Sequence, residues 1–246
     1  MNKIKKFLPL ILLFLGIVVV VGAYFFVSRS KKDKDVVEDT TSLVEVQLSD
    51  RPIASLIPSD DGHWLTLLIE KITIDAASLD YELLYKLPDG RTQGVPGSIT
   101  LKGEEEIERE LLLGSESSGK FRYDEGVEKG TLTLRFRNDK GKLIAKFSTE
   151  FTLSSGVSEL ASVDEAFTVK LSKKSSEFFI VMETFGIPGD ISSEALSGPY
   201  GVFSSAPTLL GTGEIDLGTL YRWSGKEWNK ASSETSGIGI FIGLSE

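Results

Sequence analysis

The residues that come nearest to a known chemistry form an incomplete motif. Gly114-Ser115-Glu116-Ser117-Ser118-Gly119-Lys120-Phe121 follows a strand-like run and meets every requirement of a G-x-x-x-x-G-K-[ST] phosphate loop except the last. That position needs a hydroxyl to ligate Mg²⁺, and it holds Phe121. Glu116 would also place negative charge inside a cradle meant for phosphates. The continuation, Phe121-Arg122-Tyr123-Asp124-Glu125-Gly126, promises no helix to turn its N-terminus toward an anion. The segment therefore reads as a Ser/Gly-rich loop between strands, and no nucleotide is expected. Ser117 and Lys120 have the spacing of a Ser-x-x-Lys acylation pair, but that chemistry needs both on one helical turn. Gly119 between them, in a β-rich context, argues against it.

Acid–base and metal chemistry are narrowed by what the chain lacks. It has no Cys and one His, which excludes disulfides, thiol nucleophiles, Cys-based metal centres and any two-histidine metal site. Serine–histidine chemistry would have to run through His63 alone. Beside Trp64 at the start of a strand, His63 reads as structural. Glycoside hydrolysis needs only two carboxylates about 5–10 Å apart, yet the sequence does not single out a pair. Asp60-Asp61-Gly62 and Asp124-Glu125-Gly126 are carboxylate–glycine turns of a kind that take up Ca²⁺, without the alternating spacing of a calcium loop. No catalytic residue, metal site or cofactor is expected.

Binding is better served by aromatics. Tyr221, Trp223 and Trp228 flank the turn Ser224-Gly225-Lys226-Glu227, and indoles side by side on a hairpin make a platform on which a sugar ring stacks. These three are the candidate ligand-binding residues. The competing reading is a cross-strand aromatic pair that stabilises a sheet. Arg135, Arg137, Lys142 and Lys146 share one parity and predict a basic stripe, fit for an acidic partner or for blunting a strand edge.

The elements that must position these residues are strands. Leu132, Leu134 and Phe136 alternate with Thr133, Arg135 and Arg137, the turn Asn138-Asp139-Lys140-Gly141 follows, and Leu143, Ala145, Phe147, Phe151 and Leu153 share a parity. This is a hairpin with one buried face. Tyr81, Leu83, Tyr85 and Leu87 alternate up to a Pro88-Asp89-Gly90 turn, as do Phe167, Val169 and Leu171. Phe178 to Met182 is continuously apolar and suits burial on both faces. Glu104 to Leu113 is the nearest approach to a helix, yet it alternates equally well. Turns recur every 8 to 12 residues or so, and the spacing has a generic likeness to immunoglobulin-like and fibronectin-type sandwiches. The fold class expected is all-β: a β-sandwich module over 43–155, a polar joint, and a sandwich-like module over 164–246, with a single unit of about 200 residues as the alternative.

The first 35 residues are a different object. Phe7 to Val27 is an uncharged run of 21 residues, long enough at about 1.5 Å per residue to cross a bilayer core. It reads as a signal anchor forming a transmembrane helix over 7–27, with residues 1–6 as a cytoplasmic tail and 28–42 as a polar juxtamembrane stalk. A signal peptide cleaved near Val21-Gly22-Ala23 is the alternative, but cleavage there would leave Tyr24 to Val27 as an apolar stub. Residues 1–35 hold seven basic and two acidic side chains of the chain's 27 and 36, which leaves 20 and 34 and a net charge of −14. That charge repels phosphate backbones, so nucleic acid is not an expected partner. The expectation is a single-pass cell-membrane protein with its bulk outside the cytoplasm. It would act without catalysis at the cell envelope on a protein or glycan partner, with a carboxylate-dependent glycan hydrolase or glycan-binding module as the alternative.

Overall fold

The structure is a computed structural model, and it describes residues 43, 45–206, 210–231 and 236–246. The expected tail, anchor and stalk over 1–42 lie outside the described residues. Among those described, no helix is long and apolar enough to cross a membrane. Leu43–Glu246 forms one compact unit, and its described residues are all-β apart from a turn of 3₁₀-helix at Leu48–Asp50.

The first strands are β1 (Ile53–Pro58), β2 (Trp64–Glu70), β3 (Ser78–Lys86), β4 (Thr92–Thr100) and β5 (Ile107–Leu112), then the short hairpin β6 (Gly114–Ser117) and β7 (Lys120–Tyr123). The long hairpin of β8 (Lys129–Arg137) and β9 (Leu143–Ser154) follows, and after it β10 (Val157–Ala161), β11 (Phe167–Ser175), β12 (Phe179–Glu183) and β13 (Ala195–Ser204). The chain closes on β14 (Leu210–Ile215), β15 (Thr219–Trp223), β16 (Trp228–Lys230), β17 (Ser236–Gly237) and β18 (Gly239–Leu244).

Nine of these strands make one antiparallel sheet in the order β16-β15-β18-β13-β12-β9-β8-β3-β4. Two smaller sheets, β1-β2-β5 and β10-β11-β14-β17, supply further layers. The parity of β12 shows how they are arranged. Ile180 and Met182 join the core built on Leu56, Leu67 and Phe151, whereas Phe179 and Val181 join the core built on Phe167, Val169 and Tyr200. Successive side chains of a strand point to opposite faces. The three-stranded sheet therefore covers one face of the large sheet, and the four-stranded sheet covers the other. Burial of β12 on both faces follows its unbroken apolar run.

The hairpin read from alternation is present as β8 with β9, and the strand read up to the Pro88-Asp89-Gly90 turn is β3, which that turn joins to β4. The segment that came nearest to a helical pattern is strand β5, with Ile107 and Leu111 buried and Arg109 exposed. Across the expected joint, β9 reaches Ser154 and pairs directly with β12, so one sheet runs through residues on both sides of it. Nor does β8 lie at an edge: it is paired by β9 and β3, and its polar parity is neutralised from β3. Arg135 meets Glu82 at 3.0 Å and Arg137 meets Asp80 at 2.7 Å. The two arginines of the basic stripe thus belong to cross-strand ion pairs rather than to edge protection.

Candidate functional site

The two carboxylate–glycine turns are brought together around the single histidine. The first closes β1 onto β2. Ser59 Oγ donates to Asp61 Oδ1 at 2.6 Å, and the same oxygen accepts the His63 amide at 3.1 Å. Those bonds, the serine's first and the amide's second, push the Asp61 carboxyl down to about 2. Gly62 makes the turn possible: its φ is +70°, and the Phe178 ring occupies the space a Cβ would need. The second turn follows β7. The Asp124 amide is held by Leu113 O at 2.9 Å, and its carboxylate accepts from the buried Tyr85 hydroxyl at 3.0 Å.

His63 lies between the turns. Nε2 is 3.3 Å from Glu125 Oε1, and Nδ1 lies 3.2 Å from Asp61 Oδ2, close but without the alignment of a hydrogen bond. Tyr123 stacks on the imidazole at 4.2 Å and 15°. Burial of the ring disfavours the cation, but the Asp61 and Glu125 carboxylates outweigh it and raise the His63 pKa above its ordinary value. Phe121 continues the row, parallel to Tyr123 within 8° at 6.2 Å, and meets Trp64 edge-on.

Behind His63 opens a cavity of about 510 Å³, within the range of organic-ligand sites. Six carboxylates line it (Asp61, Asp124, Glu125, Glu128, Glu159 and Glu165), against Lys129 and the histidine. Its apolar lining comes from Val127, Leu153, Val157, Leu160 and Phe178. No group of three His, Asp or Glu suited to holding a metal occurs among the described residues. An anionic rim over an apolar floor fits an organic cation, with the charge met by carboxylates and the carbon stem by the floor.

A smaller cavity of about 210 Å³ adjoins at Ser162 and Val163, and Asp164, Glu183 and Tyr200 line it. Asp164 loses some solvation, which raises its pKa, but bonds from Ser162, Tyr200 and the Ala166 amide prevail and lower it. The Glu183 side chain is exposed as a whole, while its carboxyl loses hydration to neighbouring atoms and faces the charge of Asp164, and both effects raise its pKa. Two carboxylates whose affinities for a proton are driven apart resemble an acid–base pair.

The candidate aromatics lie elsewhere. Trp223 and Trp228 are partners across β15 and β16, with ring planes 58° apart, so they do not form a flat surface. Trp228 and Tyr221 pack on the small core of Ile187, Ile242 and Leu244, Trp228 Nε1 reaches Gly189 O at 3.4 Å, and the Trp223 ring lies against Gly189. The incomplete phosphate loop is the β6–β7 hairpin, whose turn residues Ser118 and Gly119 have φ of +54° and +75°. Ser117 and Lys120 face each other across it. His63, which reads as structural in the sequence, has an environment that the sequence does not reveal. The two carboxylate–glycine turns were visible, but nothing local indicates that residues 62 positions apart converge.

Comparison with protein-family models, with curated proteins and with solved structures finds no match.

Proposed function

We propose that this chain is a non-catalytic, membrane-anchored binding protein of the cell envelope, with its ligand site in the cleft beside His63. In this reading residues 7–27 are the single-pass anchor and 28–42 the stalk, and the β-rich part stands outside the cytoplasm. Its halves over 43–155 and 164–246 are two immunoglobulin-like sandwiches that have strands of one sheet in common. The observation that carries the binding reading is the convergence of Asp61, His63 and Glu125 at the mouth of a cavity of about 510 Å³. A carboxyl held near 2 stays ionised at neutral pH and is a poor proton donor. It serves better as a fixed negative charge.

The test uses the full chain in detergent micelles, with immobilised cell-wall glycan and immobilised polylysine as probes. Retention on either probe, weakened in Asp61→Asn and Glu125→Gln, supports the reading. The single histidine provides a second readout, because its ¹⁵N imidazole signal is unambiguous. No retention and no shift of that signal with either probe would remove the cleft as a ligand site.

A second reading, a carboxylate-dependent glycan hydrolase, is favoured by the opposed shifts of Asp164 and Glu183. It predicts release of reducing ends from cell-wall glycan that Glu183→Gln abolishes. Identical release by wild type and variant sinks it.

A further inference from the structure

The wall of the cleft is a strand edge. Among the described residues β10 is paired by β11 alone. Glu159, Leu160 and Ala161 all border the cavity. Consecutive residues of a strand point to opposite faces, so a cavity that meets all three runs along the backbone edge.

The hydrogen-bond phase of β10 tells which groups that edge presents. The Ser162 amide donates to Phe167 O at 2.9 Å across the turn into β11, in register with Leu160 opposite Val169. Antiparallel ladders alternate bonded and non-bonded pairs. Leu160 is then the residue bonded to β11, and Glu159 and Ala161 turn their N–H and C=O groups the other way. One of these groups is found where the alternation puts it: Ala161 O accepts from Thr152 Oγ1, across the gap to β9, at 2.9 Å. The carbonyl has a second lone pair, but a strand added at Ala161 has to displace the Thr152 hydroxyl from this position.

Charge decides what can use it. Glu159 lies on β10 itself, and Glu125 and Glu128 border the same cavity from the segment after β7. An exposed edge invites pairing, and inward or flanking charge is a common defence against self-association. A second copy of this acidic chain would be repelled, and so would an acidic peptide. Resting on the cleft being a ligand site, we propose that β10 is a docking edge that takes up an extended basic peptide as an added strand. The peptide's backbone bonds Glu159 and Ala161, and its Lys or Arg side chains meet Glu125, Glu128 and Glu159. Backbone bonds give this mode its affinity, and alternate side chains give it selectivity.

The experiment uses the full chain in detergent micelles and an acetylated, amidated hexapeptide of alternating Lys and Val carrying a fluorophore. The expected result is saturable binding that weakens as salt is raised, a shift of the His63 imidazole signal, and no binding of the hexapeptide with Glu in place of Lys. Methylating alternate backbone nitrogens removes the bonds of one edge and is expected to weaken binding about tenfold. Glu159→Lys, an exposed change that the fold tolerates, is expected to weaken it about tenfold as well. Equal affinity for the peptides methylated in either phase and the unmethylated one would show attraction by charge alone and overturn the strand-addition proposal. If cell-wall glycan shifts the His63 signal and the peptide does not, the cleft remains a ligand site and the peptide proposal fails. No response to either probe removes both.

Discussion

At the scale of single residues, His63 is the best reporter that the molecule contains. Its pKa is raised because Asp61 and Glu125 favour the imidazolium more than burial disfavours it. A group whose folded pKa exceeds its unfolded value stabilises the fold fully below about pH 6.5, and that contribution is lost as pH rises through the folded value. The imidazole signal should therefore titrate with a midpoint above about 6.5, and Glu125→Gln should bring the midpoint down; an unchanged midpoint in the variant would show that Glu125 does not hold the ring. Asp61 has the opposite sign. Its carboxyl, held near 2, contributes above the ordinary carboxylate range and is lost only as pH falls toward 2. At an exposed position that contribution is small, under about 1 kcal/mol. Gly62 carries a larger local demand. Alanine there would need both a left-handed backbone and the space filled by Phe178, so Gly62→Ala should lower stability by about 2 kcal/mol or more in urea denaturation. These dependencies explain why the site was hard to read. Asp61-Gly62 and Glu125-Gly126 announce turns, and turns are local. That the turns flank one imidazole is set by pairing between distant strands, which leaves no trace in spacing.

Among the elements, what was legible is whatever period-two alternation records. The β8–β9 hairpin and strand β3 follow from their apolar parity and their turn residues, because each buries one face against a single core. β5 shows the limit of that signal: ten residues from Glu104 to Leu113 suit either period, burial of Ile107 and Leu111 suits both as well, and only antiparallel pairing with β2 settles it as a strand. Lateral neighbours were not legible. That β3 lies beside β8 turns Arg135 and Arg137 from a stripe seeking a partner into one satisfied by Glu82 and Asp80. In β12 pattern and packing agree most fully, since its unbroken apolar run feeds two cores from opposite faces. Ile180→Ala and Phe179→Ala should each cost about 3 kcal/mol, because both leave a cavity among buried side chains. Urea midpoints measure this. A cost below about 1 kcal/mol for either would mean that its face of β12 is not packed as described.

For the whole molecule, the question is whether the two cores melt together. Each would be large enough to stand as a small sandwich, which is how the sequence suggested two modules on either side of a polar joint. The strand that divides the cores also unites them. Separating the halves would break the β9–β12 pairing, in which Met182 lies opposite Phe151 and Phe179 opposite Ser154. It would also strip Ile180 and Met182 from one core or Phe179 and Val181 from the other. No flexible connection absorbs that loss, because the large sheet is continuous from β16 to β4. The expected outcome is a single calorimetric transition whose van't Hoff enthalpy matches the measured heat. Phe179→Ala should shift that one transition rather than split it. Native-state hydrogen exchange offers the sharper check. Amides of β2, over one face, and of β11, over the other, should lose protection by the same amount in Phe179→Ala, although the substitution touches only the core beneath β11. If β11 loosens while β2 keeps its wild-type protection, the halves unfold separately, and the shared sheet does not couple them.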